Sequence, residues 1–524
     1  MPYDLADLTR RHFLAGMGVS AAALVTAGCT SAVKQQQSAG TTRKGGTLRA
    51  GISQDLIPAN FYTNSNYGIT TLIGLVYEGL IRYPNTKVVP EPRLATSWKL
   101  SADGKALTLH LRKGVTFHTG RPFTSEDVKF SLQTYAQPVW NGQMRSTAAA
   151  ITSYDTSDPH VAVLHLDHPM SNIFDLLDTV PIVDKETFAG VGSGKRYVGT
   201  GPFRFVSWAP NTKLTFAKNE HYWQPGLPHL DAVDVAIVPD ATSLTSQLRS
   251  GQIDYAYGTS YLDIERLAAT NRFTKYRLTG AEEQIYVGAN VSAPGLGDVR
   301  IRQAIAYALD RERILTEVFR GSGYAVNLPW PKYSAAYDAA KNKTYAQDIA
   351  KAKSLVKQYG KKVPTIPLTY LTPQPLYEAT AQIVQYNLQA VGIPVKLDPV
   401  DGATFIKQLI GAQLPGLWTT FHSWAQYTPS TLTVSAYPFN ATSNASHYTS
   451  PRYTKDATNA WETPPAGGGN KAVDYGSLSD DLLKALFLIE IGVVQPQWVT
   501  SNTVRNVSYT KRQELDLSRA TLTS

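Results

Sequence analysis

The chain reads as a globular α/β protein of several lobes, and three observations carry that reading. Its 524 residues suffice for two to four domains, at roughly 100–200 residues each. A composition of 43% hydrophobic and 17% charged residues excludes collagen, a coiled coil and a disordered chain. From Gly45 onward, short stretches of period-two alternation are interleaved with amphipathic stretches, two of them closed by glycine.

Taken in order, Leu107, Leu109 and Leu111 alternate with Thr108, His110 and Arg112, the pattern of a half-buried strand. Thr124 followed by Asp127 is a capping box, opening a helix that puts Val128, Leu132 and Tyr135 on one face. Residues 161–166 and 213–217 read as further strands. One amphipathic helix is expected over 300–319, with Ile301, Ile305, Ala308 and Leu309 as its stripe. A helix over 348–359 stops at Gly360, and one over 378–391 stops at Gly392, after which Ile393, Val395 and Leu397 alternate as a strand. Glycine ends such helices because it accepts the left-handed conformation. The run Pro464-Pro465-Ala466-Gly467-Gly468-Gly469 is a surface loop, and no internal repeat of fixed period is present.

The first 28 residues form an address. Thr9-Arg10-Arg11-His12-Phe13-Leu14 resembles a twin-arginine export signal, and an Ala-, Gly- and Val-rich stretch then runs into Cys29. Val25-Thr26-Ala27-Gly28-Cys29 resembles the lipobox of bacterial lipoproteins, with Thr26 where leucine is favoured. Cys29 is the one cysteine, so there is no intrachain disulfide and no CxxC site; its expected role is lipidation. Residues 29–44 are then a flexible tether. Export argues against a nucleic-acid partner. The net charge of +9 stays with the body, because Asp4 and Asp7 balance the signal's two arginines. It suits an anionic membrane surface or an anionic solute.

Catalytic motifs are largely missing. The sequence has no GxSxG elbow, HExxH helix, GxGxxG turn or GxxxxGK[ST] loop. Ser354-Leu355-Val356-Lys357 matches SxxK but lacks the SDN and KTG partners, so it is expected on a helix surface. Neither a metal site nor a cofactor is expected.

Several blocks, in order, resemble family 5 of the extracytoplasmic solute-binding proteins, the dipeptide- and oligopeptide-binding type that serves ABC importers. They are Gly45-Gly46-Thr47-Leu48, Val76-Tyr77-Glu78-Gly79-Leu80, Leu94-Ala95-Thr96-Ser97-Trp98 and a long block from Leu109 through His118-Thr119-Gly120-Arg121-Pro122-Phe123 to Val128. Gly199-Thr200-Gly201-Pro202-Phe203, Asn219-Glu220-His221-Tyr222-Trp223, Gly251-Gln252-Ile253-Asp254 and Asp298-Val299-Arg300-Ile301-Arg302-Gln303-Ala304-Ile305 follow. The resemblance implies a two-lobed clamp of the periplasmic-binding-protein type (type II, cluster C) with an inserted domain. One lobe would use 45–80, 197–284 and 495–524, the inserted domain 81–196, and the other lobe 285–494. Solute would be held between the lobes and passed to permease subunits at the membrane, by a monomeric receptor outside the cytoplasm.

In peptide-binding relatives a tryptophan-containing loop holds an aspartate that pairs with the peptide's α-ammonium. Here that loop reads Phe421-His422-Ser423-Trp424-Ala425-Gln426-Tyr427-Thr428-Pro429, with Gln426 at the aspartate position. Glutamine supplies no charge, so peptides, oligosaccharides and metal chelates all stay open as solutes. Candidate contacts are His422, Trp424, Gln426 and Tyr427 in this loop, Asn64 and Tyr67 after the first strand, and Glu283 and Tyr286 near the lobe crossing. A secreted lipoprotein hydrolase and a surface adhesion module are the readings from other classes.

Overall fold

The computed structural model describes residues 42–63, 66–372, 374–465 and 473–523. The export signal, Cys29, most of the tether, Asn64 and residues 466–469 of the proline-glycine loop lie outside the described residues.

The alternating patterns become strands. Leu107, Leu109 and Leu111 are buried along Ala106–Leu111, and Val161–Leu166 repeats the same alternation beside it. With Ala95–Leu100 and Ile151–Asp158 they form a four-stranded antiparallel sheet. Thr124 and Asp127 make the capping box of the helix Ser125–Tyr135, which buries Val128, Leu132 and Tyr135.

Two larger sheets form the cores of two lobes. The first has seven strands, in the order Phe273–Arg277, Gln497–Ser501, Tyr255–Tyr257, Thr47–Ile52, Ala232–Ile237, Lys213–Lys218, Phe203–Ala209. Thr47–Ile52 runs parallel to both its neighbours, whereas the outer pairs are antiparallel. The second has six strands, in the order Gly323–Ala325, Leu488–Val494, Glu283–Ala289, Leu417–His422, Ile366–Leu371, Val395–Val400.

One expectation is corrected. Residues 300–319 are two helices, Val299–Ala308 and Arg311–Glu317, because Leu309 turns extended and the Asp310 carboxylate accepts the Arg313 N–H. Aspartate competes for backbone donors, so it stabilises a helix start better than a helix interior. The helix expected over 378–391 is Pro375–Gln389, opened by a proline at its first position, where no N–H is needed. Ile349–Tyr359 is capped by Asp348 and closed by Gly360 at φ 71°; Ser354 and Lys357 are exposed on it.

Four of the eight sequence blocks meet around one buried carboxylate. Glu78 Oε2 accepts from Thr200 Oγ1 at 2.9 Å and Trp223 Nε1 at 2.8 Å. Its Oε1 accepts from the Tyr222 hydroxyl at 2.9 Å and pairs with Arg93 at 2.7 Å. The Arg112 guanidinium lies 4.2 Å from the centre of the Trp223 ring. Gly199 and Gly201 let their loop press on the backbone of Val76; a Cβ on Gly199 would meet the Val76 oxygen at 2.1 Å. The same loop holds His118, whose Nδ1 accepts from Gly199 N–H and whose Nε2–H donates to the Gly201 carbonyl. Burial pushes this imidazole down to about 4, which keeps it neutral. Arg121 bridges Asp127 at 2.5 Å and Asp184 at 2.6 Å.

Removing one partner of a buried pair costs about 3–5 kcal/mol, whereas an exposed pair contributes about 0–1 kcal/mol. Glu78→Ala should therefore destabilise the fold by about 3–5 kcal/mol, leaving Arg93 buried and unpaired. Lys213→Ala, at the exposed pair with Asp234, should cost about 1 kcal/mol or less. Equilibrium denaturation of the two variants tests this, and equal losses would contradict it.

Candidate functional site

The chain passes between the two large sheets twice, over 278–282 and 495–496. The Leu278 N–H donates to the Pro496 carbonyl at 2.9 Å, so the two crossings run side by side. Beside them sits a C-terminal hairpin, Ser508–Tyr509 paired with Leu515–Asp516. Its tip, Lys511-Arg512-Gln513-Glu514, is buried. Polar groups placed there must find partners or destabilise the fold. Lys511 Nζ donates to the Asn85 carbonyl and stands 4.6 Å above the Tyr333 ring. Arg512 donates to the Thr179 carbonyl and lies 3.6 Å from Glu514. Gln513 donates to Glu283 Oε1 at 3.0 Å and accepts from the Tyr257 hydroxyl at 2.9 Å. Burial lowers the Lys511 ammonium to about 8, against the opposing pull of Asp178 and Glu282.

The residues expected to form the site separate into three groups. Tyr67 and Glu283 lie together beside the crossings. Tyr67 opens the helix Tyr67–Val76 and stacks on Tyr257 with centroids 4.0 Å apart. Glu283 begins its strand, and burial raises its carboxyl above the ordinary range although Gln513 opposes the shift. Glu282 faces elsewhere and accepts from the Tyr333 hydroxyl at 2.8 Å.

Tyr286 and His422 lie in a second group, inside the six-stranded lobe. Both are buried, 5.5 Å apart between ring centres, and both pack on Phe439. His422 Nε2 is 3.7 Å from Glu490, whose own carboxyl is raised by burial. Tyr286, His422 and Glu490 carry buried polar atoms without a hydrogen-bond partner among the described residues.

Trp424, Gln426 and Tyr427 form the third group, a seam. Trp424 packs on Tyr427 at 5.7 Å, with the Arg512 guanidinium 6.0 Å from its ring. Gln426 Nε2 donates to the Lys511 carbonyl at 2.6 Å, so its amide serves the hairpin tip. The Tyr427 hydroxyl donates to Asp178 at 2.8 Å. Next to it Asp175 accepts from Thr428 N–H and Oγ1, both at 3.0 Å, from Thr431 Oγ1 at 2.6 Å and from the Tyr83 hydroxyl at 2.8 Å. Both aspartates lie on the helix Ile173–Thr179, which follows the four-stranded sheet. The loop at 424–431 is thus bonded to two other parts of the molecule. Among the described residues no three or more His, Cys, Asp or Glu side chains group closely enough to hold a metal ion. No helix among them is long and apolar enough to cross a membrane.

Sequence reasoning missed the hairpin tip, the pair Asp175 and Asp178, and the rings Tyr257, Tyr261 and Tyr377. A Lys-Arg-Gln-Glu run between short strands reads as a solvated turn, and nothing local to it signals burial.

Comparison with known proteins places this geometry. The model of bacterial extracellular solute-binding proteins, family 5, matches residues 89–446. The oligopeptide-binding protein AppA of Bacillus subtilis (strain 168) is 26% identical over 403 residues, covering 71% of this chain and 73% of its own. Heme-binding protein A of Haemophilus influenzae is 29% identical over 311 residues, covering 54% of this chain and 56% of its own. The structure of AgaA from A. tumefacien R10 in complex with agropinic acid superposes with a TM-score of 0.80 at 23% identity, covering 91% of this chain and 99% of that one. The two-lobed α/β fold is therefore that of the periplasmic binding proteins.

Burial pushes the Asp175 carboxyl up to about 6 against its four hydrogen bonds. Its folded value exceeds the unfolded one, so the folded chain holds a proton that the unfolded chain has released. The stability it contributes is present at low pH and is lost as pH rises through about 6. Relative to Asp175→Asn, the wild type should lose on the order of 2–3 kcal/mol between about pH 4 and pH 7. A stability difference that stays flat over this range would refute the assignment.

Proposed function

The chain belongs to family 5 of the bacterial extracellular solute-binding proteins, and from that membership we propose that it is the lipid-anchored solute receptor of an ABC importer. It captures a peptide or similar solute between its lobes and delivers it to a membrane permease, with no chemistry of its own. The observation that carries this reading is the polar closure around the crossings. Glu283 bonds to a buried hairpin tip and Tyr67 stacks on Tyr257, which bonds to the same tip, while the loop at 424–431 bonds across to Lys511, Asp175 and Asp178. Two lobes joined by two short crossings and a hydrogen-bonded seam can open and close on a ligand.

The proposed division gives one lobe 45–80, 197–284 and 495–524, an inserted domain 81–196, and the other lobe 285–494. The sheets support it: the strands of each fall within these stretches, except that Glu283 and Gln284 already belong to the six-stranded sheet. Tyr67, Glu283 and Trp424 are the proposed solute contacts from the original set. Asn64 joins them as a proposal from its place before Tyr67 in the sequence.

Gln426 favours a second reading within the same fold. The loop offers no carboxylate there, and its amide is engaged by Lys511. A solute other than a free peptide fits this loop equally well. The relatives named above are an oligopeptide-binding and a heme-binding protein, and AgaA was seen with agropinic acid.

A panel of short peptides, sugars and metal chelates separates these readings. The cognate solute should raise the melting temperature and shift tryptophan emission, with about 2.7 kcal/mol of stabilisation at a hundredfold excess over Kd. A panel in which no member does so would contradict the receptor reading. The anchor has its own test: Cys29→Ala should move the protein from the membrane fraction to the soluble fraction. Retention of that variant on membranes would remove lipidation at Cys29 from the account.

A further inference from the structure

Glu283 stands at the end of the first crossing, where the two lobes meet. Gln513 occupies its Oε1, but Oε2 has no hydrogen-bond donor among the described residues, and the side chain keeps some accessible surface. No basic side chain among the described residues forms an ion pair with it, so burial is uncompensated by charge. A carboxylate at such a depth destabilises the protein unless something else neutralises it.

Rings flank this residue on both sides: the Tyr257 hydroxyl shares Gln513 with it, and Phe421 pairs with Ile285 two residues along its own strand. Tyr67 stacks on Tyr257 at 4.0 Å from the side of the seven-stranded sheet. From the other lobe, Tyr377 packs on Phe421 at 4.4 Å, and Phe421 meets Phe319 at 5.9 Å. Tyr261 closes the wall between the lobes by packing on Phe319 at 6.0 Å. Tyr67, Tyr377 and Phe421, like Glu283 itself, are only partly buried. The Glu283 charge raises the pKa of the Tyr67, Tyr257, Tyr261 and Tyr377 hydroxyls after burial has already raised it, which places all four within its electrostatic reach.

A lone carboxylate oxygen set among aromatic rings attracts cations twice over, through charge and through the negative faces of the rings. An anionic group there meets repulsion, and an uncharged group gains only a hydrogen bond. We propose that Glu283 and its ring wall form the subsite for a cationic nitrogen group of the solute, an ammonium or a guanidinium. The proposal rests on the clamp reading, and it moves recognition of positive charge from the loop position held by Gln426 to the crossing.

Matched probes test it on the purified chain by titration calorimetry. The pairs are trialanine with N-acetyl-trialanine, arginine with citrulline, and choline with 3,3-dimethylbutanol. At least one member carrying the extra cationic nitrogen should bind roughly tenfold or more tightly than its mate without it. Glu283→Gln should weaken that member by roughly tenfold to a hundredfold and erase the preference, leaving the mate without the extra cation within about threefold. Tyr377→Phe keeps the ring and should keep the preference. If Glu283→Gln does not fold, the wild-type pairs decide alone. Pairs that bind alike overturn the proposal, and so does equal weakening of both members. If none of these charged probes binds while another solute raises the melting temperature, the subsite falls and the clamp stands. If no solute of any kind does so, both fall.

Discussion

The fold depends on a buried carboxylate that is fully matched. Glu78 sits at the end of the first helix and gathers Arg93, Thr200, Tyr222 and Trp223 from three distant stretches of chain. A charge so deep is tolerable only if every lone pair is used, and here each oxygen has two donors. That requirement explains why the surrounding loop is glycine-rich: Gly199 and Gly201 must let Thr200 reach Glu78 while the backbone touches Val76. Four of the ordered blocks of the sequence are therefore parts of one junction. They set where the four-stranded sheet stands relative to the seven-stranded sheet, and through Arg121 and Asp184 they fix the chain that leads on to it.

The contact between the loop at 424–431 and its neighbours is of another kind. Glu78 is surrounded once and for all, but the seam is a row of single hydrogen bonds to Asp175, Asp178 and the Lys511 carbonyl. The neutral bond to the Lys511 carbonyl contributes about 0.5–1.5 kcal/mol net, and each bond to a charged carboxylate about 1.5–3 kcal/mol. Polar interfaces of this sort are the ones across which lobes move. Asp175 adds a restraint, because its raised carboxyl shows that its four donors do not fully repay its burial.

Much of the scaffold was legible because it is written locally. Alternation at Leu107–Leu109–Leu111, the box Thr124–Asp127 and the closing Gly360 each act within a few residues of where they are read. The break at Leu309 was misread because the apolar stripe runs on across it, and only Asp310 acting as a cap reveals two helices. The site was less legible, since its partners are far apart in sequence. Gln513 and Glu283 are separated by 230 residues, and Tyr427 and Asp178 by 249. Tyr286 and His422 were grouped with Glu283 and Trp424 by sequence neighbourhood. The pleat of Glu283–Ala289 turns Tyr286 into the lobe interior with His422 and Phe439.

The position of Glu283 has a consequence for how closure is driven. In the proposed clamp a group beside the crossings would move least as the lobes swing apart, so a cation seated on Glu283 would keep that contact in both states. Such a contact holds the solute but cannot by itself favour the closed form, because only differential affinity shifts a conformational equilibrium. The rings differ: Tyr67 and Tyr257 stack beside the seven-stranded sheet and Tyr377 and Phe421 pack beside the six-stranded one, so in the proposed clamp a solute would touch both pairs only when the lobes meet. The bonds of Gln426 and Tyr427 tie the loop to the hairpin tip and to the helix Ile173–Thr179. In the proposed clamp the carboxylate would supply capture, and the rings and seam would supply the preference for the closed state. That division would let one receptor hold solutes of different shape, provided that each brings a cation to the crossing and a surface for the rings to cover.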